Sequence, residues 1–155
     1  MNQRRAATLL LTTALAVPVM TLTQGARADD LADEADLHFR IGTEAYTNHD
    51  YRSALEHFLA SNRLVPNRNV LFNVARAYEQ LAQFANAHRY YTTALELERD
   101  PSRRTLINES LGRIRQYVAV LNVQTDPPGA TVYINRRDLG PRGTTPRALA
   151  FPPGR

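Results

Sequence analysis

The sequence predicts an α+β chain: α-helical hairpin repeats, two units plus a capping helix, followed by a small antiparallel β-sheet module that is incomplete. Three observations carry that expectation. From Leu31 to Tyr117 apolar residues recur at helical spacing and are interrupted by short turn signals, as in antiparallel helix pairs. The same stretch aligns on itself at an offset of thirty-three residues. Beyond Tyr117 the apolar period becomes two, the spacing of strands.

Residues 1–28 read as an export signal rather than folded structure. Arg4 and Arg5 form a short basic start, Ala6 to Leu22 is apolar apart from threonines and Pro18, and Ala26-Arg27-Ala28 offers the small residues that a signal peptidase needs. Cleavage is expected between Ala28 and Asp29, which places the mature chain in the periplasm or cell envelope, or outside the cell. Loss of this segment removes three arginines and no acid, so the net charge falls from +4 to +1. A chain so close to neutral has no electrostatic reason to bind nucleic acid. Its charge is nevertheless uneven: 29–67 carries −5, 68–119 carries +3 and 120–155 carries +3. With no cysteine, stability in an oxidising compartment has to come from packing.

The helical part is expected over 29–118, with units at about 35–67 and 68–100 and a capping helix at about 101–118. Tyr51, Ala54, Leu55, Phe58 and Leu59 form a continuous apolar stripe. Asp50 is placed to cap that helix and Pro66 to end it, so Leu31–Thr47 and Tyr51–Leu64 make a hairpin. At the thirty-three-residue offset Gly42 meets Ala75, Tyr51 meets Phe84, Ala54 meets Ala87, Phe58 meets Tyr91 and Ser61 meets Ala94. Small residues at the first and third of these pairs let helices approach, and the aromatic pairs fill the space between. Asp100-Pro101 reads as an N-cap and first helical residue of a further helix, with Leu106, Ile107, Leu111, Ile114 and Val118 as its stripe.

Ile41-Gly42, Ala54, Phe58 and Pro66 in the first unit, and Val74-Ala75, Tyr78, Phe84, Ala87, Tyr91 and Ala94 in the second, resemble the tetratricopeptide repeat. The departures are Ala45 where the second unit has Tyr78, and Pro101, which comes two residues later than the family pattern and starts a helix. The resemblance implies a concave groove lined by the first helix of each hairpin. Its groove positions fall on Arg40, Thr43, Thr47, Asn69, Asn73, Arg76 and Gln80. Of these, Asn73 and Arg76 combine an amide suited to a peptide backbone with a guanidinium suited to a carboxylate.

In the last part, Leu121, Val123 and Thr125 and then Ala130, Val132 and Ile134 alternate with polar residues across the turn Asp126-Pro127-Pro128-Gly129. They are expected to be two strands, with Arg147 to Phe151 as a further short one. Pro127, Pro128, Gly129 and Ala130, followed by Gly140, Thr145-Pro146 and Pro153-Gly154, resemble the PEGA domain, with Pro128 in place of the motif's glutamate. That resemblance implies more strands than 119–155 supplies. The expectation is therefore a truncated module, or one completed by a partner strand.

No motif for catalysis stands out. His38, His49, His57 and His88 have no metal-site spacing, and there is no nucleophile elbow, phosphate loop or cysteine nucleophile. The expectation is a chain without catalytic or metal residues and without a cofactor: an adaptor or scaffold that binds a protein or peptide. The alternative is a structural cell-wall or surface-layer component whose β module binds polysaccharide or peptidoglycan. Oligomeric state is left open by the sequence.

Overall fold

The computed structural model describes residues 23–154, with side-chain surroundings from Ala28. Five α-helices come first: α1 (Thr23–Thr47), α2 (Tyr51–Leu64), α3 (Arg68–Gln80), α4 (Phe84–Leu97) and α5 (Pro101–Ile114). A 3-10 turn, Arg115–Tyr117, leads into β1 (Ala119–Val123), and β2 (Arg147–Phe151) pairs with it antiparallel, Ala119 opposite Phe151. The α+β architecture is thus present, and each helix packs on the next in chain order.

Helix α1 begins eight residues before the expected Leu31. Nothing in Thr23–Asp30 forbids a helix, since the segment lacks proline and holds one glycine. Ala28 and Asp29, on either side of the expected cleavage point, are exposed on α1. Residues 1–22 of the expected signal lie outside the described residues.

The hairpins repeat in backbone detail. His49 and Ala82, thirty-three residues apart, both take positive φ, 61° and 56°. The same two hydrogen bonds close each turn: His49 N–H to Tyr46 O and Asp50 N–H to Ala45 O, then Ala82 N–H to Glu79 O and Gln83 N–H to Tyr78 O. A single left-handed residue reverses the chain while returning two donors to the helix that has just ended. Asp50 caps α2 through Ser53 N–H, whereas Gln83 makes no side-chain cap.

Packing follows the same offset. Ala54 and Ala87, Phe58 and Tyr91, Ser61 and Ala94 are all buried. Gly42 is required where it stands: a Cβ there would lie 2.8 Å from Phe58 Cδ1 and 3.3 Å from Ala54 O. Asn67, which caps α3, and Asp100, which caps α5, are also thirty-three residues apart. Helix α5 therefore starts where a third unit would start, and Ile107 is buried at the position of Val74. The proline that departs from the family spacing is in phase with the helix starts of this chain.

The β part differs from expectation. Ala130 to Ile134 is no full strand, and β1 pairs with the last strand instead. What remains is a short ladder between 129–132 and 142–145: Gly129 N–H to Thr145 O, Thr145 N–H to Ala130 O, Val132 N–H to Gly143 O and Arg142 N–H to Val132 O. Gly143-Thr144-Thr145 supplies the partner side of that ladder. Pro141 and Pro146 flank it and supply no N–H, so pairing cannot lengthen there. Thr145 is buried and its hydroxyl accepts from Gly129 and Ala130 N–H at 3.1 and 3.0 Å, and bonds the Thr125 hydroxyl at 2.5 Å. One threonine thus pins three segments.

Candidate functional site

The N-terminus of α3 sits where α1 and α2 meet. Asn67 accepts from Asn69 N–H at 2.8 Å and its own N–H donates to Asn62 Oδ1, which fixes the entry into the helix. Asn69 is half-buried beside a cavity of about 190 Å³ lined by Ala35, Phe39 and Val70 and also by Asp36, Ser61 and Asn67. Its Oδ1 is buried and has no hydrogen-bond partner. Such an acceptor costs about 1–3 kcal/mol when nothing donates to it.

One and two turns along α3, Asn73 Nδ2 donates to Asn69 O at 3.1 Å, and the Arg76 guanidinium lies 4.5 Å from the Tyr46 ring centre on α1. Asn69, Asn73 and Arg76 thus form one row along α3, and Arg76 reaches across to α1. Gln80 is exposed at the end of the same helix. On α1, Arg40, Thr43 and Thr47 are exposed, and both threonine hydroxyls donate to carbonyls one turn back, at 2.9 Å. Hydroxyls so engaged still have an accepting lone pair for a ligand.

The next helix boundary is held by charge. Glu98 is buried, its carboxylate 3.4 Å from Arg68 Nε and 3.7 Å from Arg103 Nε, and it accepts from Arg99 and Asp100 N–H. The Asp100 N–H bond above all, with both arginines, holds its pKa below the usual glutamate value. Arg104 closes the end of α4 by donating to Leu95 O and Glu98 O, 2.8 Å each. Farther on, the Tyr91 hydroxyl donates to Glu79 at 2.6 Å, and Arg113 of α5 pairs with the same carboxylate at 3.3 Å. Burial, together with Glu79, raises the Tyr91 pKa well above the tyrosine range.

A second cleft of about 440 Å³ lies between α4 and the β module, lined by His88, Arg89 and Glu96 on one side and Arg142, Arg147 and Phe151 on the other. Arg147 folds over Gly143, and its Nε is buried without a partner. Burial lowers the His88 pKa by disfavouring the charged imidazolium.

Residues 118–155 match the PEGA domain. PEGA domains are often surface or periplasmic modules. The match covers the segment that carries Pro127, Pro128, Gly129, Ala130, Gly140, Thr145, Pro146, Pro153 and Gly154. Within the PEGA segment Thr145 is the residue with the clearest structural work. At the 3-10 turn Arg137–Leu139 the arginines are engaged locally: Arg136 pairs with Asp138, and Arg137 lies 5.8 Å from the Tyr133 ring centre. No curated protein matches the chain. Among the described residues no helix is long and apolar enough to cross a membrane.

Sequence spacing missed one contact. His38 of α1 and His57 of α2 come together with Nδ1 atoms 2.9 Å apart. Nineteen residues separate them, so no local motif shows the pair. The signal was in the internal alignment, where they fall opposite Leu71 and Tyr90.

Proposed function

We propose that this chain is a non-enzymatic adaptor of the bacterial periplasm or cell envelope, exported by residues 1–28. Tetratricopeptide-like hairpins hold a protein or peptide partner along the face shared by α1 and α3, and the PEGA segment spaces or attaches it at the envelope. The observation that carries this reading is the buried, unpaired Asn69 Oδ1 beside a cavity of mixed polar and apolar lining, in line with Asn73 and Arg76. An N–H from a partner's backbone satisfies that acceptor, an apolar side chain fills the cavity, and Arg76 meets a carboxylate. Fractionation of the envelope proteome over the immobilised chain tests it. Arg76→Ala is expected to weaken partner capture while leaving the circular dichroism and thermal midpoint nearly unchanged. A partner held equally well by Arg76→Ala and Asn69→Ala removes the site.

A structural cell-wall role is the second reading, favoured by the cleft that gathers Arg89, Arg142 and Arg147. Arginines around a cleft suit carboxylate-bearing polymers. Sedimentation with purified cell wall separates the two. Retention by wall, lost in Arg142→Ala/Arg147→Ala, supports the structural role; retention by a protein extract alone supports the adaptor.

A further inference from the structure

Like charges from two parts of the chain meet in the cleft between α4 and the β module. Arg89 lines it from α4, and Arg142 and Arg147 line it from the other side, Arg147 as the first residue of β2. Among the described residues none of the three guanidiniums takes part in an ion pair. Glu96 is the one acid in the lining, and it lies seven residues beyond Arg89 on the same helix, about 10 Å along its axis. It is too far away to neutralise Arg89. The sharpest feature is Arg147, whose Nε is buried without a partner where the side chain folds over Gly143. A charged donor with no acceptor is unfavourable until something supplies one.

The repeat frame does not ask for these charges. Thirty-three residues earlier, α2 carries Glu56 and Arg63 at the places of Arg89 and Glu96, and Leu55 and Leu59 where α4 has His88 and Thr92. Hairpin packing is satisfied there with apolar side chains and with the opposite signs, so the polar row on α4 answers to the cleft.

Volume and lining together restrict what fits. About 440 Å³ lies within the range of small-molecule sites. An arginine fork matches a carboxylate through two parallel N–H···O bonds. Three arginines against one glutamate leave the lining at +2, which two carboxylates neutralise. Ile134, Leu149 and Phe151 add an apolar wall, which an inorganic dianion would leave unused.

We propose that this cleft binds a small organic dicarboxylate, held by Arg89 on the α4 wall and by Arg142 and Arg147 on the β wall. Arg147 Nε gains its acceptor, and the Thr92 hydroxyl offers a further donor. A ligand held from both walls ties the helical hairpins to the PEGA segment and stabilises the joint between them. The site stands apart from the α1–α3 face, and it narrows the ligand of the cleft from a carboxylate-bearing polymer to a small molecule of the same chemistry.

The test is calorimetric titration of the full chain with malonate, succinate, glutarate and adipate, compared with butyrate, which has one carboxylate, and sulfate, which has no apolar body. At least one dicarboxylate is expected to bind saturably, one per chain, at least ten times more tightly than butyrate or sulfate, and to raise the thermal midpoint. Arg147→Gln is expected to weaken that binding tenfold or more while keeping the helical circular dichroism. Arg142→Gln, at an exposed position, carries the same expectation if Arg147→Gln does not fold. Arg52→Gln, on the exposed side of α2, is expected to bind as wild type does. The proposal is overturned if no dicarboxylate binds saturably, if butyrate or sulfate binds as tightly, or if the folded cleft variants bind undiminished. Retention by purified cell wall without binding of any free dicarboxylate overturns the small-molecule site and leaves the structural role in place.

Discussion

In the first hairpin the Phe58 ring lies against the bare backbone of Gly42; in the second, Tyr91 stands at the same place opposite Ala75 and carries a hydroxyl. Both rings are essentially inaccessible to solvent, so both fill the same kind of space. The hydroxyl is the difference. A buried O–H needs an acceptor, and Tyr91 finds it in Glu79, which in turn engages Arg113 on α5. Phe58 needs none, and the residue matching Glu79 in the first unit is Tyr46. One packing frame is thus built twice, and the inner hairpin adds polar wiring to the helix that follows it. The outer hairpin puts its polar groups elsewhere, in the His38–His57 pair and along the α1–α3 face.

The largest effects should come from the shared frame. Phe58→Ala and Tyr91→Ala are each expected to cost about 3–5 kcal/mol, read from the urea midpoint, because each empties a fully packed site. A cost below about 1 kcal/mol at either ring would break the equivalence of the hairpins. Exchanging the rings sharpens the difference. Phe58→Tyr buries a hydroxyl with no carboxylate opposite and is expected to cost about 1–3 kcal/mol, whereas Tyr91→Phe loses one net hydrogen bond, about 0.5–1.5 kcal/mol.

Glycines give a smaller contrast with opposite signs. Gly42→Ala forces a methyl group into Phe58, and crowding outweighs the helix propensity gained, leaving a net loss of about 1 kcal/mol. Gly112→Ala on α5 meets nothing within 4 Å and is expected to gain up to about 1 kcal/mol. Thermal melts of the two variants check both signs.

The smallest effect is electrostatic and depends on pH. The Glu98 pKa is depressed in the folded chain, by the Asp100 N–H first and then by Arg99 N–H, Arg68 and Arg103. Its contribution is therefore present above the unfolded glutamate value of about 4.3 and is lost as pH falls through the lower folded value. Glu98→Gln should be less stable than wild type at neutral pH, and the two urea midpoints should converge on acidification. A constant gap down to about pH 3 would show that the carboxylate charge is not what counts.

The hairpins were legible in the sequence because their determinants are local and mostly repeated: the small residues and the aromatic pairs recur in phase, and Asp50 marks the start of α2. The helix start at Pro101 was legible for the same reason, and its phase with Arg68 emerges once the caps Asn67 and Asp100 are compared. The β pairing was not legible. Alternation marks Ala130 to Ile134 as strand-like, yet partner choice rests on Thr145, whose hydroxyl gathers donors from a segment fifteen residues away. Nothing in a period-two pattern encodes that. The candidate face was visible only as a set of spaced positions. Its sharpest feature, the unpaired Asn69 acceptor beside a cavity, depends on how α1, α2 and α3 converge.

The most direct test of the proposed binding face is selection of peptides from a random display library on the immobilised full chain, wild type against Asn69→Leu/Arg76→Ala. Wild type is expected to enrich a peptide family with an apolar side chain and a carboxylate, and the folded double variant is expected not to retain it. Retention of the same peptides by the variant with undiminished affinity would contradict the assignment of this face.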